Sequence, residues 1–213
     1  MRIATIVVSR SRSCHVKALH TVLRFNIKCM QSGIQNEVFF VNDDTFKKSE
    51  MIQTCMGTHD RVFFIDFGVG LDDQTLAKVV DPNLHGDVMV FPGAKEGINW
   101  DMFKQKVNDE STEPVEQMGL EFDTNVGSCI DGDIYKVDTT EAKTWVLASK
   151  PVLKKMRDKR TGKYKIPPKF DVMFEKFKEF GVKISAYVGA QVTNTYTHEC
   201  FGNILNSSGV KST

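Results

Sequence analysis

Three short polar segments in the N-terminal third of the chain follow apolar runs, where buried strands are expected to end. Residues 9–12 supply hydroxyl and guanidinium groups, which suit a phosphate, a ribose or a base. Residues 42–44 supply carboxylates, which accept hydrogen bonds from a uracil N–H or from ribose hydroxyls. Each segment alone is also explained as a solvated turn, but with residues 66–68 the three together favour a nucleotide site. The predicted nucleotide-binding residues are Val8, Ser9, Arg10, Arg12, Asn42, Asp43, Asp44, Asp66, Phe67 and Gly68.

Asp66 is also a predicted metal ligand. The apolar run before it, residues 62–65, lacks polar alternation, which is typical of a strand covered on both faces in a parallel sheet. Ligands of such sheets bind at the carboxyl ends of the strands, where a carboxylate can hold a divalent cation on a phosphate. The alternative is a turn acid that caps the helix expected near Asp72. His198 is the predicted second ligand, because imidazole commonly binds divalent metals, and the alternative is a surface histidine.

The elements that position these groups alternate between strand and helix. Strands are predicted at 3–8, 37–41 and 62–65, and helices at 14–31 and 45–56. This β-α-β-α-β order predicts an α/β fold with a mostly parallel sheet and a Rossmann-like N-terminal half. The first strand is followed by neither GxGxxG nor GxxxxGK[ST], which argues against a dinucleotide-binding fold and a P-loop ATPase.

The second half of the chain is less regular. The basic segment at 150–169 is predicted to be a mobile surface loop that closes over a diphosphate or meets an acceptor, or else a solvated lysine-rich turn. Asp138, Glu141 and Trp145 lie near a predicted strand end and are candidates for an acceptor pocket. The remaining predicted elements are helices at 73–79, 151–156 and 170–180 and strands at 87–91, 144–148 and 182–188.

The composition is that of an ordinary globular protein. The chain has 213 residues, 41% hydrophobic and 26% charged, with a net charge of +1, so one domain is expected and nothing points to nucleic acid. Its five cysteines lack CxxC spacing, which favours free thiols in a reducing compartment over a zinc site or disulfides. No apolar segment is long enough for a signal peptide or a membrane span. A cytoplasmic protein is therefore predicted.

The order of these features resembles the GT-A class of nucleotide-sugar glycosyltransferases. The sequence VNDDT at 41–45 resembles the acidic turn that holds the uridine, and FIDFG at 64–68 resembles the strand that ends in the metal-binding DxD, with Gly68 in place of the second Asp. Residues 169–198 are similar to the block in which Glu-Asp opens a helix and a histidine closes the following strand. The resemblance implies that Asp171 is the catalytic base of an inverting enzyme and His198 a metal or diphosphate ligand.

A second resemblance covers essentially the whole chain. SRSRSCHVKALHTVL at 9–23, the DFG-like strand end and THEC-x-NIL near the C-terminus are similar to the N-terminal glycosyltransferase domain of chlorella virus proteins that build the capsid glycan. This resemblance implies a UDP-sugar donor, Mn²⁺ or Mg²⁺, a sugar such as L-rhamnose or a hexose, and a glycan or glycoprotein acceptor. The site of action would be the cytoplasm of the infected host cell.

The predicted organisation is one GT-A domain at 1–205, with a nucleotide-binding half at 1–92 and an acceptor or catalytic half at 93–205. Residues 206–213 are expected to form a tail or a linker to a further domain. For Asp171, a helix N-cap is the alternative to a catalytic base. The alternative functions are a nucleotidyltransferase of similar fold, a nucleotide- or glycan-binding module without catalysis, and a structural capsid module.

Overall fold

Ten strands and six helices form the part of the chain that the structure describes. The structure is a computed structural model, and it describes residues 1–113, 115, 118–158, 162 and 164–195. The strands are β1 (Arg2–Ser9), β2 (Gln35–Asn42), β3 (Arg61–Ile65), β4 (Val69–Leu71), β5 (Val88–Val90), β6 (Thr124–Asp131), β7 (Ile134–Thr140), β8 (Thr144–Ala148), β9 (Ile184–Tyr187) and β10 (Val192–Asn194). The helices are α1 (Val16–Gln31), α2 (Thr45–Thr58), α3 (Asp73–Val80), α4 (Trp100–Asn108), α5 (Ser149–Met156) and α6 (Phe170–Glu179).

The central sheet has eight strands in the order β2-β1-β3-β8-β5-β9-β7-β6. Strand β1 pairs in parallel with both β2 and β3, so the predicted β-α-β-α-β unit is confirmed. The pairings make β7 and β8 the only strands of this sheet that run against the other six. The sheet is therefore mostly parallel, as predicted. Strands β4 and β10 form a separate antiparallel pair.

Helices cover both faces of this sheet because its strands are apolar on both sides. Along β1, Ala4, Ile6 and Val8 belong to the core layer that contains the buried residues of α2, α5 and α6, whereas Ile3 and Val7 belong to the layer that contains those of α1 and α3. Helix α1 buries one stripe, formed by Ala18, Thr21, Val22, Phe25 and Cys29. The hydrophobic core thus lies in two layers, one on each side of the sheet.

Helix α5 (Ser149–Met156) agrees with the helix predicted at 151–156. The prediction of a free loop is wrong for the described residues that follow it, because Ile166 is buried and the Tyr164 hydroxyl donates to the carbonyl of Gln53 at 2.9 Å. The sequence also failed to predict four strands: β4, β6, β7 and β10. Strand β6 is exposed along most of its length, so it lacks the apolar run by which buried strands are recognised.

The described cysteines, which are Cys14, Cys29, Cys55 and Cys129, are free thiols. None of the helices in the described ranges has the length and apolar character needed to cross a bilayer.

Candidate functional site

The three predicted polar segments meet at the carboxyl edge of the sheet. Ser9 is in register with Asn42 on the neighbouring strand, and the Asp43 N–H donates to the carbonyl of Ser9 at 2.9 Å. The end of β3, which leads to Asp66, lies on the other side of β1. A cavity of about 450 Å³ lies at this edge, and its lining residues are Ser9, Arg10, Ser11, Arg12, Asn42 and Asp43.

Asp43 holds two cations at the mouth of this cavity. Its Oδ2 accepts a hydrogen bond from Nε of Arg10 at 2.7 Å, and its Oδ1 accepts one from Nζ of Lys48 at 2.8 Å. Burial alone would raise the pKa of Asp43, but the hydrogen bonds from Lys48 and Arg10 outweigh it and hold the pKa below its usual range. Lys48 is a site residue that the sequence analysis missed, because it lies in the first turns of α2 rather than at a strand end.

The guanidinium group of Arg10 also contacts an aromatic ring. Its guanidinium carbon lies 4.7 Å from the centroid of the Phe67 ring, which is close enough for a cation–π contact. The ring of His15 packs edge-on against Phe67 with the centroids 5.6 Å apart. The intervening residues Ser11 and Arg12 have positive φ angles of 48° and 61°, which are uncommon for non-glycine residues. The loop after β1 therefore has a specific, partly strained shape.

Asp66 is a partly buried carboxylate that directly follows β3. Its N–H donates to the carbonyl of Lys143 at 3.0 Å, and its Oδ1 accepts from the N–H of Phe67 at 2.8 Å. Burial raises the pKa of Asp66, and the positive charge of Lys48 and the Phe67 N–H act in the opposite direction. Asp66 does not cap α3, because the side chain of Asp72 accepts from the first N–H groups of that helix. The capping alternative for Asp66 is therefore wrong.

Gly68 follows in a conformation that favours glycine. Its φ is +77°, and a Cβ atom there would lie 3.2 Å from the carbonyl oxygen of Thr195. The Thr195 N–H donates to the carbonyl of Gly68 at 3.0 Å. The chain after β10 thus passes directly beside the strand end that carries Asp66. His198 lies outside the described residues.

Among the described residues, Asp66 supplies one suitable ligand for a divalent cation. In the part of the chain that the structure describes, no group of three or more His, Cys, Asp or Glu side chains is arranged to hold a metal ion. A carboxylate oxygen is nevertheless the donor that Mg²⁺ and Mn²⁺ prefer, and Mg²⁺ in nucleotide sites is typically held by one or two carboxylates with phosphates and water. Asp66 therefore suits an ion that binds together with a diphosphate.

Asp171 lies in a second, smaller cavity. It is exposed in the first turn of α6, whose N-cap residue is Lys169, so the N-cap alternative for Asp171 is wrong. The helix begins where the ring of Phe170 packs edge-on against Phe64 and Trp145, with centroid distances of 4.9 and 5.9 Å. The cavity has a volume of about 220 Å³ and its lining includes Asp138, Glu141 and Asp171. Trp145 is fully buried instead, so its predicted place in an acceptor pocket is wrong.

Asp123 is a buried carboxylate on the lining of the same cavity. Its Oδ1 accepts from the N–H of Gly93 at 3.1 Å and from the hydroxyl of Thr124 at 2.8 Å. Burial raises the pKa of Asp123, and these two hydrogen bonds and the nearby Lys143 act against it. Asp123 was not predicted because it lies in a stretch with no recognisable strand or helix pattern.

Three of the predicted nucleotide-binding residues also have structural contacts. The side chain of Val8 is buried in the core. Asp44 caps α2, since its carboxylate accepts from the N–H of Lys47 at 2.8 Å. Asn42 is exposed, with its Oδ1 at 3.5 Å from the Ser9 hydroxyl. Val8 can therefore meet a ligand only through its main chain.

No family model matches the sequence, and a comparison with curated proteins finds no match. Among solved structures, the chain is similar to GalNAc-T7 with UDP, GalNAc and Mn²⁺, with a TM-score of 0.52 and 10% identity over 92% of this chain and 44% of that one. It also matches a Drosophila β-1,4-galactosyltransferase 7 mutant in complex with manganese, UDP-Gal and xylobiose (TM-score 0.48, 11% identity, 95% of this chain and 73% of that one). A further match is the inositol-1-phosphate CTP transferase from T. maritima (TM-score 0.46, 9% identity, 98% of both chains). The likeness to GalNAc-T7 shows that the chain has a GT-A fold, while the chain spans less than half of that protein's length.

Proposed function

We propose that the chain is a metal-dependent glycosyltransferase that transfers a sugar from a UDP-sugar to a glycan acceptor. The main observation behind this proposal is that two cavities and the carboxylate of Asp66 lie together at one end of a GT-A sheet. A cavity with Arg10 and Asp43 lies near the partly buried carboxylate of Asp66, and a smaller cavity holds Asp123 and the exposed Asp171. These sites suit, in turn, a nucleoside, a diphosphate and a sugar, which are the parts of a UDP-sugar.

The first cavity would bind the nucleoside. Each oxygen of Asp43 already accepts one hydrogen bond from a cation, and a carboxylate oxygen has a second lone pair for a uracil N–H or a ribose hydroxyl. Arg10 is held by Asp43 and Phe67, so it is oriented before a ligand arrives. Arg12, on the same loop, lines the cavity and adds a second guanidinium for a phosphate.

Asp66, together with His198, would hold a Mn²⁺ or Mg²⁺ ion on the diphosphate. A bound ion of this kind supplies Lewis-acid neutralisation of the leaving group. The positive charges of Arg10 and Lys48 would stabilise the same developing charge from the protein side. The support for His198 is that Thr195, three residues earlier in the sequence, is hydrogen-bonded to Gly68.

Asp171 would act as the general base. Its carboxylate is exposed in the small cavity, where an acceptor hydroxyl can approach, and it would take the proton of that hydroxyl as the new bond forms. Attack from the face opposite the leaving diphosphate inverts the anomeric configuration. Asp171 follows Phe170, whose partly buried ring packs against the core, so α6 holds the base in place.

We further propose L-rhamnose or a hexose as the transferred sugar and a growing capsid glycan, in the cytoplasm of an infected host cell, as the acceptor. The support is the similarity of residues 9–23 to the glycosyltransferase domains of chlorella viruses. The proposed division into halves at 1–92 and 93–205 follows from the resemblance to the GT-A class, and the proposed tail at 206–213 from its linker-like composition.

Thermal denaturation with UDP, in the presence and absence of Mn²⁺, tests the donor site. At a ligand concentration of 100 times Kd, binding stabilises the folded state by about 2.7 kcal/mol. For a chain of this size, that corresponds to a rise in Tm of roughly 5–11 °C. Asp66→Ala should abolish the part of the rise that depends on Mn²⁺. An unchanged Mn²⁺ effect in that variant would contradict the role of Asp66.

Hydrolysis of UDP-sugars in Mn²⁺ tests the catalytic part of the proposal, since slow transfer to water reports a working site without a known acceptor. Once an active donor and acceptor are found, Asp171→Asn should lower kcat of transfer by ~10²–10⁴ while UDP affinity stays nearly constant. The matched control is Glu179→Gln at the other end of α6, which should leave kcat unchanged. Normal turnover in Asp171→Asn would remove it as the base.

A further inference from the structure

The buried carboxylate of Asp123 has an unused hydrogen-bonding atom. Asp123 is only 6% exposed, and its buried Oδ2 has no hydrogen-bond partner among the described residues. Its Oδ1, in contrast, has two donors. A buried polar atom without a partner is costly and rare in native structures, and ligand-binding sites are among the places where it occurs. Asp123 also lines the cavity that contains Asp171.

Asp123 is connected to the predicted metal ligand and shares a cavity with the predicted base. The carbonyl of Lys143 accepts from the N–H of Asp66 at 3.0 Å, and two residues earlier the N–H of Glu141 donates to the carbonyl of Asp123 at 2.9 Å. Asp171 and Asp123 both line the smaller cavity. A sugar that is attached to a diphosphate at Asp66 and enters this cavity would therefore meet Asp123.

Gly93, which follows β5, packs closely against Asp123 and Asn194. A Cβ atom on Gly93 would lie 2.9 Å from Nδ2 of Asn194 and 3.3 Å from Oδ2 of Asp123, so a larger residue would push these side chains apart. Oδ1 of Asn194 is also buried and lacks a partner within the described part of the chain. Asp123 and Asn194, each with an unpaired buried acceptor atom among the described residues, thus both lie close to Gly93.

The size and lining of the cavity suit a single sugar ring. Its volume of about 220 Å³ is below the ~300–1,000 Å³ that is typical for drug-sized ligands. Its polar lining includes Asn125, Thr139 and Thr140, which can bond to hydroxyl groups, whereas the rings of Phe122 and Phe174 supply apolar surface. A pyranose offers both kinds of surface, because its edge carries hydroxyls and its face carries C–H groups.

We propose that Asp123 binds hydroxyl groups of the donor sugar and so contributes to the choice of donor. This assignment rests on the proposed function. The sugar hydroxyl supplies the hydrogen bond that Oδ2 lacks, and the sugar is held between the diphosphate at Asp66 and the base at Asp171. The group that Asp123 recognises is a hydroxyl, which both donor and acceptor sugars carry. The proximity to Asp66 through residues 141–143 assigns it to the donor.

Calorimetric titration of the full chain in Mn²⁺ with UDP, UDP-glucose and monodeoxy analogues of UDP-glucose tests the assignment. Asp123→Asn keeps the acceptor atom for Gly93 and Thr124 but changes Oδ2 to an NH₂ group, so the fold should be retained, which a thermal melt verifies. We expect its Kd for UDP to stay within about twofold, and its Kd for UDP-glucose to rise about tenfold or more, as for a lost hydrogen bond to a charged group. The monodeoxy analogue that lacks the recognised hydroxyl should bind the unsubstituted chain as weakly as UDP-glucose binds Asp123→Asn. The substitution should not weaken the binding of that analogue further.

The control variant is Asp131→Asn, which makes the same charge change at the other end of β6 and should bind all probes normally. An unchanged ratio of the UDP-glucose and UDP affinities in Asp123→Asn would overturn this assignment but not the proposed function. A loss that appears only in the KM for the acceptor would overturn it in favour of the acceptor sugar. Failure of the unsubstituted chain to bind UDP at all would overturn the proposed function and this assignment with it.

Discussion

Phe170 anchors the helix that carries Asp171, and its removal should destabilise the chain measurably. Its ring contacts Phe64 and Trp145 edge-on, and Nζ of Lys48 lies 5.7 Å from the ring centroid. Truncation of a fully buried phenylalanine to alanine costs about 3–5 kcal/mol. Because Phe170 is only partly buried, we expect Phe170→Ala to lower the free energy of unfolding by about 2–3 kcal/mol. At 2–4 °C for each kcal/mol, Tm should fall by roughly 4–12 °C.

Urea denaturation and thermal melts of Phe170→Ala test this magnitude. The control is Val172→Ala, two residues later on α6 and 44% exposed, which should change the free energy of unfolding by less than about 0.5 kcal/mol. Phe170→Leu should fall between the two, since it retains apolar contact without the aromatic geometry. Equal stabilities of Phe170→Ala and Val172→Ala would refute the view that this ring anchors the helix.

Three further predictions concern the edge of the sheet. Gly68→Ala should destabilise the chain by about 1–2 kcal/mol in urea denaturation, because the site has φ +77° and Thr195 lies where the new Cβ would point; an effect near zero would contradict this. Asp44→Ala should lose about 0.5–2 kcal/mol through the α2 cap, and Asp44→Ser should recover most of it in the same measurement. Burial raises the pKa of Asp66, so the folded chain binds the proton of this carboxyl group more tightly than the unfolded chain does. The stability that comes from this bound proton is lost as the pH rises above the usual pKa of Asp. Metal-free Asp66→Asn should therefore gain stability over the unsubstituted chain as pH rises from 3.5 to 7, and a constant difference across this range would contradict the burial argument.

The N-terminal half of the fold could be predicted from the sequence because its signals are local. The apolar runs of β1 and β3 are continuous, and the helix between β1 and β2 has regular spacing, so the parallel order followed from chain order and handedness. Because parallel strands end at one edge of a sheet, the sequence predicted that Ser9, Asn42 and Asp66 lie near one another, as the strand pairing confirms. Whether those residues bind a nucleotide stays a prediction.

The second half could not be predicted as well, because its strands are short or exposed. Strand β6 exposes most of its residues, and β4 and β10 are only three residues long, so none of them carries a run or alternation that marks a strand. Their partners are set by contacts between distant segments, such as the pairing of Val192 with Leu71.

What the sequence alone determined was the set of polar residues at the strand ends, since apolar patterning and turn chemistry act over a few neighbouring residues. What only the tertiary structure decided was which charges face one another. Lys48 reaches Asp43 from a helix, Phe170 packs on Trp145 across 25 positions of the chain, and residues 141–143 bond through their main chain to both Asp123 and Asp66. Such contacts depend on burial and on the meeting of distant segments, and both exist only once the chain has folded.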